Sequence, residues 1–519
     1  MGAATALSLV ASLAALFGHA TRFCELPLRD KLSFVPDDAF YYMKLGSEFA
    51  GTRRWSFDGG RTTTTGFHLF FGYESALVEA LVGSRTPRAI DLRLVLHAIL
   101  GAASTAAAIV VLARLGRRVF PRGAPAAILA VACGGGAFLL PLQAMEWPYA
   151  VLAGALAVNA VGGRRVGWMV AAMVFGCACR ADFAIFGACL ALALWSVDWP
   201  LRGGWTRPRV FACLAGTALG VAVTSAHDWA VDGHLVQSSA RMKAYWGSVS
   251  GYDLAYGLEP VSYAFSPAFL FTHVLDWGPR TLFALALGAA ACAWVLRGRL
   301  RATTPEAQVL SRFAPLAIAA YAIAYGWLGA AAMCWYSASF FAAAFTGVAT
   351  LADAAPEGPR RAAVAVASVL AVLAAWNARL PTWNAGGFLA ATDALRADAS
   401  IRVAASWNAG TLGFLGGDKV VNVDGLVNDD VYPYVVRGRL HCYLVHERIP
   451  FVVDRVDWPS PSRGAKLGYD ARLLAAMSPY DLGPGGLGAW RVDLTGLARD
   501  PACAEDLRSA AARVARPYP

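Results

Sequence analysis

Apolar residues run along this chain in long blocks broken by short polar stretches, and over most of its length the alternation of a half-buried strand is missing. Blocks long enough to cross a bilayer, or nearly so, cover 2–20, 90–113, 124–142, 147–162, 165–179, 182–197, 209–231, 279–296, 313–332, 335–352 and 362–379, which predicts about eleven transmembrane helices. Two places break the pattern. The apolar stretch 67–83 carries Glu74 and Glu79, so it reads as an interfacial or re-entrant helix rather than a span. Arg180 and Asp182 interrupt 165–197, which reads as two short helices meeting at one face. After residue 380 the period changes to short strand-like runs at 401–405, 419–423, 450–454 and 489–493 with glycine-rich turns between them. The fold class is a polytopic α-helical membrane protein, residues 1–379, with a small α/β domain at 380–519.

Composition excludes the three or four soluble domains that 519 residues would otherwise suggest: 57% of the chain is hydrophobic and 15% charged, against about a quarter charged in soluble proteins. The net charge of +10 does not mark a nucleic-acid partner, because the arginines form short clusters between apolar runs: 114–122, 164–165, 202–209, 297–312 and 360–361. Each cluster falls in every second connection, so all can be cytoplasmic at once. This registry puts the amino terminus inside and the loops 21–89 and 232–278 outside the cell (inner) membrane. The domain after 380, with fifteen Lys or Arg and fifteen Asp or Glu, is neutral and also outside. The ten cysteines include no CxxC pair and mostly sit in apolar runs as packing residues. Cys442 and Cys503, on the oxidising side, are a candidate disulfide.

Chemistry belongs in the outer loops. The first holds two adjacent carboxylates, Asp37 and Asp38, after Pro36 and before Phe40, Tyr41 and Tyr42. Pro-Asp-Asp predicts the start of a helix from about 38 to 50, where one carboxylate caps the amides and the second faces the cavity beneath the loop. Ser56 to Gly60, the threonines 62–65, Gly66, Phe67 and His68 follow.

The segment PDDAFYYMKLGSEFAGTRRWSFDGGRTTTTGFHLFF resembles the first extracytoplasmic loop of bacterial membrane glycosyltransferases of the GT-C superfamily. In one large group that loop reads approximately PDDAFYY, a helix, SFDG and TNGFHPLW; here Thr65, Leu69 and Phe71 replace the asparagine, proline and tryptophan. Weaker echoes are Glu146-Trp-Pro, Arg180 to Asp182, and GHLVQSSARMK ending in Lys243, and the tail around WNAGTLGFLGGDKVVNVDGLVN resembles an outer domain many members carry.

The resemblance implies an enzyme that moves a sugar from a polyprenyl-phosphate donor to a glycan, lipid or protein acceptor outside the membrane, inverting the anomeric centre. An acidic residue of the first loop is then the base, Asp37 or Asp38. Asp38 is favoured because Asp37 directly follows proline and suits the cap. Lys243 and Arg180, at the outer ends of spans, are candidates for the leaving phosphate, with an Arg180–Asp182 pair as the structural alternative. Glu146 either binds a sugar hydroxyl or starts a helix, and His68 is a scaffold or an acceptor contact. No metal ligands are assigned, and a divalent metal stays open because some relatives use one. The competing reading is a polytopic transporter or lipid-carrier flippase, which would show repeat halves and broken helices at mid-membrane; no internal repeat is found.

Overall fold

The computed structural model describes residues 3–83, 86–133, 139–163, 165–201, 206–251, 304–328, 334–355, 357–358, 387–460, 467–483 and 487–505. The expected spans 279–296 and 362–379 lie outside the described residues. The helices of the apolar part are α1 (Ala3–Glu25), α2 (Leu28–Phe34), α3 (Asp37–Thr52), α4 (Leu69–Val82), α5 (Pro87–Val119), α6 (Ala124–Cys133), α7 (Trp147–Ala160), α8 (Gly167–Cys179), α9 (Phe183–Leu201), α10 (Arg207–Asp232), α11 (Ser238–Ser250), α12 (Pro305–Leu328) and α13 (Ala338–Ala354). Within α1, α5, α10 and α12 lie segments long and apolar enough to cross a membrane. α7, α8, α9 and α13 contain shorter apolar stretches.

Local chemistry sets the boundaries. Thr86 caps α5, its hydroxyl accepting from the Ala89 amide ahead of Pro87 at the first helical position, where a missing N–H costs nothing. α4 and α10 end on Gly83 and Gly233 at φ 68° and 78°, the left-handed stop that glycine takes without strain. α8 and α9 meet at Arg180–Asp182, as the interruption in the apolar run predicts. In α4 the two carboxylates that argue against a span face inward: Glu79 pairs with Arg93 of α5 at 2.7 Å, and Glu74 hydrogen-bonds His97 and Tyr149. The lipid-type residues Leu77 and Leu81 of the same helix are exposed.

The carboxyl-terminal region contains α14 (Gly387–Ala397), β1 (Ala404–Ser406), α15 (Ala409–Gly416), β2 (Val420–Asn422), α16 (Tyr432–Val436), α17 (Leu440–His446), β3 (Phe451–Arg455), α18 (Ala471–Ala476), β4 (Met477–Tyr480) and β5 (Leu487–Val492). The sheet order is β2-β1-β3-β5-β4; β1 runs parallel to β2 and β3, and β5 is antiparallel to β3 and β4. Four of the strands fall on the expected runs. β4 does not, because its sequence, Met-Ser-Pro-Tyr, is partly exposed and has little apolar signal. Cys442 and Cys503 are joined in a disulfide.

One continuous apolar core includes residues of the transmembrane helices, the first loop and this region, among them Phe40, Phe57, Leu412 and Phe414. Phe40 meets Phe414 with ring centroids 5.7 Å apart, and burial of such side chains stabilises by about 1.5–3 kcal/mol each. Contact is close enough to dictate glycine: a Cβ at Gly66 would lie 1.6 Å from the Leu426 carbonyl oxygen. Gly66→Ala is therefore expected to destabilise the protein by about 1–3 kcal/mol through overpacking, read as a lowered melting temperature of the detergent-solubilised protein against wild type.

Candidate active site

α3 begins at Asp37, and its cap residue Pro36 offers no side chain to the helix amides. The expectation that Asp37 caps its own helix is corrected here. Its carboxylate instead caps α15, accepting the Thr411 amide at 2.7 Å and the Gly410 amide at 3.0 Å. Tyr41, one turn on, accepts the preceding amide, Ala409 N–H, at 3.1 Å. A Cβ at Gly410 would lie 2.0 Å from the Asp37 carbonyl oxygen, so α15 meets α3 with backbone against backbone. Burial raises the Asp37 carboxyl above its ordinary range, while the amide hydrogen bonds pull it down.

Asp38 lies between these two anchors and accepts no side-chain or backbone hydrogen bond among the described residues. Burial pushes its carboxyl up to about 7, opposed by the charge of Lys243 and reinforced by those of Asp37 and Glu146. A half-buried carboxyl in this range is ionised in useful proportion near neutrality and still basic enough to take a proton.

Glu146 precedes α7 and is buried, as is Arg180 at the carboxyl end of α8. Arg180 binds carboxylates on both sides: it donates to Glu146 through one terminal nitrogen and to Asp182 at 3.0 and 3.2 Å. Tyr325 of α12 donates to the Asp182 carboxylate, and Tyr321 donates to the Asp182 carbonyl at 3.0 Å. The two carboxylates thus offset the Arg180 charge before any ligand arrives.

Lys243, on α11, makes no ion pair among the described residues. Its ammonium sits 5.1 Å from the centre of the Tyr336 ring, and the Arg180 guanidinium lies 5.0 Å from the same ring. Burial works against the Lys243 charge, but Tyr336 and Asp38 outweigh it and hold the ammonium above its ordinary pKa. His68 approaches Glu146, Nε2 to Oε1 at 3.7 Å. Burial and the Arg180 charge lower its pKa well below the ordinary value, so the imidazole is neutral. Its Nδ1 and the second Glu146 oxygen, Oε2, are buried without a hydrogen-bond partner among the described residues.

The structure therefore brings Asp38, His68, Glu146, Arg180, Asp182 and Lys243 into one centre, from segments up to two hundred residues apart, and places Asp37 at its edge facing α15. Tyr336 joins them; from its sequence position at a span boundary an aromatic belt alone accounts for it. Tyr41 and Asp424, which are hydrogen-bonded at 2.9 Å, carry no sequence signal for their pairing. As to metals, the described residues contain one cluster of three suitable side chains, His441, Cys442 and Cys503. Its two sulfurs are tied in the disulfide, so it lacks the thiolates that hold an ion.

No family model and no curated protein matches the sequence. The fold is similar to that of ArnT from Cupriavidus metallidurans, solved bound to undecaprenyl phosphate, with a TM-score of 0.54 over 94% of this chain and 97% of that one at 14% identity. It is similar as well to the archaeal oligosaccharyltransferase AglB from Archaeoglobus fulgidus in complex with an inhibitory peptide and a dolichol-phosphate, with a TM-score of 0.54 over 93% of this chain and 73% of that one at 12% identity. At these identities the likeness is one of fold. Over nearly its whole length the chain shares the fold of these two structures.

Removing Arg180 would strand Glu146 and Asp182 as uncompensated buried carboxylates. Arg180→Ala is expected to cost about 3–5 kcal/mol, measured as a fall in thermal stability larger than that of Lys243→Ala.

Proposed function

We propose that this protein is a membrane glycosyltransferase that moves a sugar from a polyprenyl-phosphate donor to an acceptor hydroxyl outside the cell membrane. The observation that carries the reading is the approach, in one centre, of the Asp38 carboxylate, which accepts no hydrogen bond among the described residues, and the Lys243 ammonium, which makes no ion pair among them, close enough for each charge to act on the other. It is supported by a fold shared along nearly the whole chain with ArnT, which was solved with undecaprenyl phosphate.

In this reading the acceptor O–H gives its proton to Asp38 as its oxygen attacks the anomeric carbon, and the bond from that carbon to the phosphate oxygen breaks. The leaving polyprenyl phosphate is met by the Lys243 ammonium and the Tyr336 hydroxyl. Arg180, fixed by Glu146 and Asp182, adds positive potential from behind the same ring. The orphaned His68 Nδ1 and Glu146 Oε2 are poised for hydroxyls of sugar or acceptor. A single displacement inverts the anomeric configuration. No step is assigned to a divalent ion, whose involvement is tested by transfer after chelation. The acceptor class, glycan, lipid or protein, is set by groups beyond this centre. About eleven spans, a cytoplasmic amino terminus and an extracytoplasmic domain from residue 380 complete the proposed arrangement, with donor entry sideways from the bilayer.

Because Asp38 acts when ionised, transfer from a polyprenyl-phospho-sugar should climb as pH rises through about 7. Asp38→Asn should lower it by about 10²–10⁴-fold, and full activity in that variant would remove Asp38 as the base. Lys243 holds the Asp38 pKa down, so Lys243→Ala should move the rising limb to higher pH and weaken donor binding. For orientation, cysteines placed at positions 30 and 118 should label from opposite sides of the membrane; labelling from one side would refute the arrangement.

A further inference from the structure

The turn at the end of β2, residues 422–428, touches three of the segments that carry the centre, those of Asp38, His68 and Lys243. Toward α3, the Asp424 carboxyl meets the Tyr41 hydroxyl at 2.9 Å, three residues along the helix from Asp38. Toward the first loop, the Leu426 carbonyl occupies the space beside Gly66, two residues before His68. Toward α11, Gly425 abuts Met242, the residue before Lys243: it stands at φ 76°, and a Cβ there would lie 2.1 Å from Met242 Cε. Just past the turn, Asp429 accepts from Arg241 at 3.0 Å, on the other side of Met242.

The turn is stiff by its own hydrogen bonds. Asp424 accepts the Leu426 amide at 2.6 Å, Asn422 Oδ1 accepts the Gly425 amide at 3.2 Å, and Asn428 Nδ2 donates to the Asn422 carbonyl at 2.7 Å. Asn422, Asp424 and Asn428 are all buried. The supports also meet one another directly, Gln237 Nε2 of the α11 cap donating to the Phe67 carbonyl at 3.0 Å and the Tyr42 ring of α3 stacking 6.5 Å from that of His68, and a rigid body in contact with all three restrains how far each can shift against the others.

We propose that this turn is a positioning element of the centre, with Asp424 and Gly425 as positioning residues that restrain the mutual placement of Asp38, His68 and Lys243. The carboxyl-terminal region then helps to assemble the site, and none of its described residues is assigned a contact with the reacting atoms. Only the kinetic arm of the following test rests on the glycosyltransferase reading.

The full-length protein in lipid nanodiscs, without substrate, is compared with Asp424→Ala and Asp424→Asn by amide hydrogen exchange. Asparagine keeps an acceptor for the Leu426 amide and can donate to the Tyr41 oxygen in place of the long bond from Asn422 Nδ2 at 3.3 Å, while the Tyr41 O–H turns to the Trp407 carbonyl at 3.1 Å. The expected result is exchange faster by about tenfold or more in Asp424→Ala, both at 37–45 and at 238–246, with Asp424→Asn close to wild type. Acceleration confined to 420–430, or equal damage from both variants, overturns the proposal. In the transfer assay Asp424→Ala should lose about tenfold or more in turnover, with the rising pH limb displaced upward as Asp38 parts from Lys243. Unchanged turnover and limb in that variant would also overturn the proposal. A wild-type protein with no transfer activity would instead sink the proposed function, and the exchange arm would still decide positioning. If Asp424→Ala does not fold, Gly425→Ala takes its place with 238–246 as the readout: acceleration there supports the proposal, and none overturns it.

Discussion

The carboxylate of Asp37 and the hydroxyl of Tyr41, one turn apart on α3, together receive the first three amides of α15: Ala409, Gly410 and Thr411. Those amides have no partner inside their own helix, and the Asp37 carboxylate makes the two it receives, from Gly410 and Thr411, stronger than ordinary hydrogen bonds, about 1.5–3 kcal/mol each. The geometry of the centre follows from this clasp. With residues 37 and 41 held on one side of the helix, Asp38 is turned by about 100° to another, toward Lys243 and Glu146. The carboxylate that looks like a duplicate in the sequence is thus the one that aims its neighbour.

The charges behind Asp38 are sorted by a second constraint. Arg180 is buried, and a buried guanidinium needs carboxylates around it; Glu146 and Asp182 supply them. Lys243, 5.1 Å from the centre of the Tyr336 ring, has no such hydrogen-bonded carboxylate among the described residues. Both cations stand about 5 Å from the centre of that ring, so their charges repel each other. Arg180 is thus matched by carboxylates in hydrogen-bond contact, whereas Lys243 and Asp38 act on each other without such contact among the described residues.

Much of this centre is legible in the sequence because charged residues stand out between long apolar runs: Arg180 and Asp182 by interrupting one, Glu146 ahead of Trp147 and Pro148, and Lys243 as one of few lysines. The helix over 37–52 is legible from Pro36 and the two carboxylates. What cannot be read is the partner of each. Nothing near position 37 points to Gly410, and an acidic pair before a helix looks like a local cap. Glu74 and Glu79 have the residue types of an interfacial surface and face inward instead, because Arg93 and His97 on α5 receive them. The strand at Met477–Tyr480 has too few apolar positions to declare itself, and it exists because β5 offers it an edge.

The clasp also has a consequence in time. Asp37 and Gly410 are 373 residues apart, and a ribosome adding about 5–20 residues per second needs roughly 20–75 s to cover that distance. Throughout that interval the first loop is already made and Asp37 lacks the amides it will hold. The centre closes only when the last quarter of the chain arrives, so a polypeptide released early would carry every charged residue of the site and still lack the site.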